Sequence, residues 1–328
     1  MPKVHFLNVN QGDCTILEHN SGRITVFDIS AGNIERERSA AASYKALRSF
    51  SPAKGNYRMC QHPTNPLDYL FDMKVNEIWR FILSHPDMDH LDGFNSLLDE
   101  FQVLHFWDSG ARKDKPDFST YSGYLEEDWD RYVKVISDKE SGTKSISVQA
   151  GDCFKYANRD DTEQNIGDAL HILAPDQNLI NAGNRTEDFN DASYVVLYRS
   201  AIGKVLLTGD AHDATWEYIK EHYEASVSNV ALLIAPHHGR KSGRSYEFLD
   251  YVNPKLTLFG CAPSDNLAYD AWNYRNLTHI TNNQCGCIVA EGDDEMRIYV
   301  ENEVFAENSG GNTGITNKQG FYYLGTVN

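Results

Sequence analysis

Short apolar runs that end in polar or turn residues alternate with stretches of helical periodicity along most of the chain. Residues 3–7, 14–18 and 23–28 read as three strands, and Asn20-Ser21-Gly22 supplies turn chemistry that joins the last two as a hairpin. Residues 35–50 predict a helix stopped at Ser51-Pro52, and 51–66, with three Pro and one Gly, an irregular connection. Residues 79–83 form an apolar run that predicts a buried strand. Residues 93–101 then suit a helix with Phe94, Leu97 and Leu98 on one face, and 102–107 a strand. Further on, 194–199 and 204–208 are strands around an Ala201-Ile202-Gly203 turn, 214–223 a helix, and 230–234 a strand.

Strands followed by helices predict a layered α/β architecture, in which ligands bind beyond strand ends. A dinucleotide-binding fold is the obvious rival, but no G-x-G-x-x-G follows the first strand. The chain is expected to be one domain over 1–328, with an insertion at about 108–165 that walls or lids the site. Within it, 112–124 is polar and loop-like. Residues 126–136 are helical, with Trp129, Tyr132, Val133 and Ile136 as a packing stripe.

Candidate chemistry enters at the strand ends. Ser84-His85-Pro86-Asp87-Met88-Asp89-His90 gathers four metal-capable side chains directly after the 79–83 strand. On a helix they would spread around the circumference, so a loop at a rigid strand end is the better reading. Imidazole and carboxylate are the ligands that suit Zn²⁺, Mn²⁺ or Fe²⁺. Three more strands end in similar residues: Asp28 after 24–27, Gly209-Asp210 after Leu206-Leu207-Thr208, and Pro236-His237-His238-Gly239 after 232–235. Repetition of that payload points to a binuclear metal hydrolase.

In that order, Asp28, the H-x-D-x-D-H loop, the strand-Gly-Asp and the Pro-His-His-Gly resemble the metallo-β-lactamase superfamily. His85-x-Asp87 in place of His-x-His is similar to its competence-type, ComEC-like branch. So are Phe6-Leu7-Asn8-Val9-Asn10-Gln11-Gly12-Asp13, the segment Asn190-Asp191-Ala192-Ser193-Tyr194-Val195-Val196-Leu197 and, more weakly, residues 281–289. The resemblance spans about residues 4–300 and leaves out any membrane channel. It implies an αββα sandwich of two mixed sheets flanked by helices, with metals at one edge. By the same similarity His85 and Asp87 would hold one ion and Asp89 and His90 the other, with Asp210 bridging. His238 or His237 would complete the second site, the unused one contacting substrate or donating a proton to the leaving group. Asp89, Asp210 and His238 would then be the catalytic set.

The chain departs from the superfamily where a histidine usually precedes the strand leading to Gly-Asp, since 189–193 reads Phe-Asn-Asp-Ala-Ser. The loss shifts the first site toward oxygen ligands, and so from Zn²⁺ toward Mn²⁺ or Mg²⁺. One or two divalent ions, Zn²⁺ or Mn²⁺, are therefore the expected cofactors. Asn190 and Ser193 are either substrate contacts or a simple turn.

Net charge narrows the substrate. A formal charge of -17 argues against broad duplex binding, which draws on neutralised phosphates. Arg240, Lys241 and Arg244, just past the histidine pair, are candidates for holding a phosphate. Arg112, Lys113 and Lys115 read instead as ordinary surface charge. The expected activity is phosphodiester hydrolysis by a water deprotonated at the metals, acting on a nucleotide or nucleic acid. The alternative is a binding or regulatory protein on the same fold with a weakened metal site. Without a long apolar run or a signal-peptide pattern, no membrane association and a cytoplasmic location are expected, with reduced thiols at all six cysteines. Cys285-Gly286-Cys287 is expected to place both sulfurs on one face.

Overall fold

Strand-forming runs from the two ends of the chain meet in one sheet. The computed structural model describes residues 1–34, 55–120, 123–159 and 167–327, so the helix expected over 35–50 lies outside the described residues. Sheet one contains β1 (Lys3–Phe6), β2 (Thr15–Glu18), β3 (Ile24–Phe27), β4 (Glu77–Ile82), β5 (Gln102–Asp108), β6 (Lys144–Ser147), β13 (Ile288–Glu291), β14 (Met296–Val300), β15 (Asn312–Thr316) and β16 (Tyr322–Val327). Its strand order is β15-β16-β14-β13-β1-β2-β3-β4-β5-β6. Sheet two runs β12 (His279–Thr281), β11 (Leu256–Phe259), β10 (Leu232–Ile234), β9 (Gly203–Leu207), β8 (Val195–Ser200), β7 (Leu170–Ala174). Both are mixed: β3 to β6 and β9 to β12 pair in parallel, and hairpins together with the β1–β13 and β14–β16 pairings supply the antiparallel parts.

The period of two along each strand sorts side chains between layers. Phe6, Leu17, Phe27, Ile82 and Trp107 face inward onto Val196, Val205, Leu232 and Leu258 of the other sheet. Their neighbours Ile16, Val26, Phe81 and Phe106 face outward, under α1 (Pro66–Asp72), α2 (Phe94–Glu100) and α3 (Glu126–Ile136). On the far side Leu197, Leu206 and Leu233 lie under α5 (Asp213–Val227), α6 (Phe248–Val252) and α7 (Tyr269–Tyr274), where Trp216 stacks on Phe248 at 4.1 Å. α4 (Gln177–Thr186) joins the same layer through Leu179. The result is helix, sheet, sheet, helix.

The 108–165 stretch contributes to these layers: β6 extends sheet one and α3 covers it. On α3 the packing face is Trp129, Tyr132 and Val135, with Val133 40% exposed, so the expected stripe is displaced by two positions at Val133. The cysteine readings change more. Cys60 and Cys261, 201 residues apart, form a disulfide, a pairing that sequence spacing does not signal. Cys285 ends α8 (Asn282–Cys285) in the core between the sheets, whereas Cys287 lies on the outer face of sheet one, so the two sulfurs occupy opposite faces. The turn at Gly286, φ +70°, breaks the strand period on which a shared face depends.

One polar cluster is buried between the layers. Arg80, 2% exposed, pairs with Asp168 at 2.8 Å and donates to Thr25 Oγ1, which also contacts His19 Nε2 at 2.7 Å. Burial, reinforced by the Arg80 charge, brings the His19 pKa down to about 3. A base whose folded pKa is depressed binds fewer protons than the unfolded chain between that value and about 6.5, so stability is lost as pH falls through this window. Going from pH 6.5 to 5 is expected to cost about 2 kcal/mol through His19 alone. His19→Gln should remove that slope while the metal-site groups titrate equally in both proteins. Urea unfolding at pH 7 and pH 5 checks it, and equal losses in the two proteins would exclude His19 as the source.

Candidate metal centre

The carboxyl ends of the parallel strands bring the site together. β3 ends in Asp28, β4 leads into Ser84 and His85, β9 leads through Thr208-Gly209 to Asp210, and β10 leads to Pro236, His237 and His238. Pro86 keeps the 84–90 loop out of a regular helix, and a single 3₁₀ turn at Met88–His90 rotates Asp89 and His90 inward. At the other loop His237 (φ 54°), His238 (φ 58°) and Gly239 (φ 82°) are consecutive left-handed residues. For two histidines that backbone is costly, about 1 kcal/mol or more each. It sends the two rings in different directions, at 88° to one another.

Four groups converge at the centre. His238 Nε2 lies 3.4 Å from Asp89 Oδ2 and 3.8 Å from Asp210 Oδ1, and His90 Nε2 lies 3.4 Å from Asp210 Oδ1 and 4.0 Å from Asp89 Oδ2. Donor atoms about 2.1 Å from a tetrahedral ion stand about 3.4 Å from each other, so this spacing fits a metal. The satisfaction of polar atoms gives an independent test. His85 Nε2, His90 Nε2, His238 Nε2 and Asp210 Oδ1 are all buried without a hydrogen-bond partner, which native interiors rarely tolerate unless an ion takes the lone pairs. The residues present therefore fit a divalent cation.

Beside this group, His85 Nε2 is 3.7 Å from Asp87 Oδ2 and 4.0 Å from Asp210 Oδ2, and His237 Nε2 is 3.6 Å from the same Asp210 oxygen. Asp210 thus faces both halves. Its position is held from behind: Ser193, fully buried, accepts from the Asp210 amide at 3.3 Å. Ser193 was a candidate substrate contact, but its burial places it under the carboxylate. Asn190 lies in the 3₁₀ turn Phe189–Ala192, and its neighbour Asp191 accepts from the Thr215 amide in the first turn of α5. The segment reads as a turn that anchors this helix.

The remaining ring nitrogens have partners that fix orientation. Asp28 Oδ2 contacts His90 Nδ1 at 2.8 Å, and Asp13 Oδ1 stands 3.1 Å from His238 Nδ1 as a charge partner without hydrogen-bond alignment. Arg244 donates to His237 Nδ1 at 2.9 Å and to the Ala211 carbonyl at 2.6 Å. Such partners commonly select the tautomer of a ligating histidine. Arg244, 5% exposed, is thus packed behind His237, with its guanidinium engaged by that ring and the Ala211 carbonyl. Lys241 is exposed, 3.2 Å from the Asp265 carbonyl oxygen. Arg240 is partly buried.

Lys113 is the residue that sequence reasoning missed. Grouped with solvated charge, it instead contacts Asp87 Oδ1 at 2.6 Å, while Arg112 pairs with Asp108 and Lys115 with Glu126 and Asp130. The signal was absent because the 112–124 loop carries no periodicity that would aim one lysine inward. Asp13 and Asp28 were legible as motif members, but their role behind the ligands was not.

Electrostatics agree with a cation site. Burial opposes ionisation of Asp89, yet His90 and His238 outweigh it and bring its pKa down to about 2. Burial likewise works against charge on His238, but Asp13 and Asp210 raise it to about 10. Asp87 is held well below the usual carboxylate range, with His85 and Lys113 overcoming its burial. A metal entering this centre has to displace imidazole protons, so its affinity rises with pH. His237 differs: burial lowers its pKa to about 4, leaving a neutral ring at neutral pH.

No protein-family model and no curated protein matches the chain. Among solved structures, the metallo-β-lactamase fold protein YhfI from Bacillus subtilis is 12% identical, with 89% of this chain and 100% of that one covered and a TM-score of 0.45. Igni18, a novel metallo hydrolase from Ignicoccus hospitalis, is 10% identical over 88% of this chain and 99% of its own, with a TM-score of 0.45. A diphosphatase from the PhnP family is 9% identical over 79% and 86%, at 0.39. With identities and TM-scores this low, these likenesses carry no argument about activity; the two mixed sheets with helices outside are the α/β layout of the chain itself.

Proposed function

We infer that the chain is a metal-dependent hydrolase of the metallo-β-lactamase type, acting on phosphodiesters of a nucleotide or nucleic acid. The observation that carries it is the convergence of Asp89, His90, Asp210 and His238, with three buried donor atoms lacking any protein partner. One or two divalent ions there, Zn²⁺ or Mn²⁺, would lower the pKa of water and neutralise charge on a phosphoryl oxygen. Around them the chain's own groups have separable tasks. Asp28, Asp13 and Arg244 hold His90, His238 and His237 in place, and Asp210 serves both halves. His237, neutral and 23% exposed, is placed to exchange a proton with a leaving group. Lys113 supplies positive charge beside the centre, which favours phosphate over a neutral acyl substrate.

The Lys113 contact bears on stoichiometry. An ammonium on Asp87 competes with a cation for that carboxylate, so the Asp89, His90 and His238 group is expected to load before any site that uses Asp87. The competence-type branch and a single domain with its 108–165 insertion belong to the same proposal. No helix among the described residues is long and apolar enough to cross a membrane. Cytoplasm is the location the sequence suggests, and the Cys60–Cys261 bond is the observation that weighs against it, since such bonds persist in oxidising compartments.

The test is metal content followed by turnover of bis(p-nitrophenyl) phosphate. At least one divalent ion per chain is expected, with hydrolysis abolished by chelation and restored by Mn²⁺ or Zn²⁺. A protein that binds no stoichiometric metal would end the enzyme reading and leave the binding or regulatory alternative.

A further inference from the structure

A cavity of about 640 Å³ opens next to the metal centre, lined by Asn10, Gln11, Arg58, Arg240 and Asn283 among others. Among the described residues no carboxylate lines it, although the chain carries 47 acidic residues. Arg80, Arg112, Arg131 and Arg275 each pair with an acidic side chain. Arg58 and Arg240 form no ion pair with any described residue, and Arg240 Nε is buried without a hydrogen-bond partner. A buried guanidinium nitrogen left unsatisfied, with a second arginine lining the same cavity, favours an entering anion.

The cavity is tied to the centre through the chain. Arg240 is two residues beyond His238, and Gln11 precedes Gly12, which packs against the Asp89 carbonyl. Opposite, the Cys60–Cys261 disulfide fastens the Arg58 segment to the loop that follows β11, so the walls are held together before a ligand arrives. Asn283 contributes a side-chain amide to the same wall, with its Oδ1 engaged by the Cys60 amide. A pre-assembled, acid-free cavity with two guanidinium groups suits phosphate, which accepts paired N–H donors.

We propose that this cavity is a second anion subsite, which holds a non-reacting phosphate of the substrate while another phosphate sits at the metals. The proposal rests on the phosphodiesterase reading and gives it a substrate class: diesters that carry a further phosphate one unit away, such as a 5′-phosphorylated dinucleotide.

Two measurements on the metal-loaded full chain test it, compared between wild type, Arg58→Gln/Arg240→Gln and the nearby control Lys241→Gln. The first is the affinity for inorganic pyrophosphate at several salt concentrations. The double variant is expected to bind about tenfold more weakly with a shallower salt dependence, and Lys241→Gln to stay close to wild type. The second is the steady-state hydrolysis of thymidine dinucleotide with and without its 5′-phosphate, alongside bis(p-nitrophenyl) phosphate. Removing either the 5′-phosphate or the two arginines is expected to raise KM about tenfold, with kcat and bis(p-nitrophenyl) phosphate turnover retained. Arg→Lys at both positions should restore part of the loss. Unchanged pyrophosphate affinity in the double variant would overturn the subsite even if diesters are hydrolysed. Weakened pyrophosphate binding without any diester turnover would keep the subsite and discard the phosphodiesterase reading.

Discussion

Asp210→Asn and Asp210→Ala are both expected to lose metal and to reduce hydrolysis by roughly a thousandfold or more. The carboxylate is 3% exposed and its two oxygens face His85, His90, His237 and His238, so it borders both halves of the centre. In Asp210→Asn the shape is conserved and the charge is removed, which separates loss of ligand from loss of packing. Far-UV circular dichroism of both variants is expected to match wild type, because the backbone at Asp210 is held by Ser193 and the strand β9. Burial would otherwise raise the Asp210 pKa, and the neighbouring histidines lower it instead. Those imidazoles lose a countercharge in the variants, so the metal-free forms should also take up fewer protons. Full turnover with stoichiometric metal in Asp210→Asn would remove this residue from the mechanism.

What the sequence revealed about this centre follows a simple physical division. His85, Asp87, Asp89, His90, Asp210 and the 237–238 pair were visible because strand ends are rigid, and a metal-capable residue at the end of an apolar run is a local signal. The layered fold was visible for the same reason, since strand and helix periods are local. The contacts that arise only when distant segments meet were hidden. Lys113 reaches Asp87 from an irregular loop, and Arg244 turns inward although a cation two turns past a histidine pair looks like surface charge. Cys60 and Cys261 are brought together by an edge of the sandwich that neither flanking sequence announces. The choice between His237 and His238 was also beyond sequence, because it depends on two left-handed backbone conformations that reset side-chain direction. With those in place, His238 falls beside Asp89 and His90, while His237 faces the other oxygen of Asp210 with a depressed pKa.

Gly12→Ala is expected to be strongly damaging although Gly12 is not a candidate ligand. Gly12 has φ +68°, where an L side chain is disfavoured, and a Cβ built there would stand 1.7 Å from the Asp89 carbonyl oxygen and 3.1 Å from Ser30 Cβ. No flexible side chain can yield in this contact, since the obstructing atom is backbone of the metal loop. The 7–14 loop and the 84–90 loop must then separate, which displaces Asp89 and, through Asp13, the ring of His238. Left-handed strain alone costs on the order of 1 kcal/mol. The overlap adds displacement of a packed loop, so a total loss of about 3 kcal/mol or more is expected. Metal affinity should fall with it, because Asp89 and His238 are two of the four convergent candidate ligands. Gly22→Ala is the matched control: it carries the same left-handed penalty at φ +83° with nothing within 4 Å of the added carbon. Urea unfolding of the chelated proteins, paired with metal titration, separates the two effects. Equal stability and equal metal affinity in Gly12→Ala and Gly22→Ala would show that the approach of the two loops is not required for the centre.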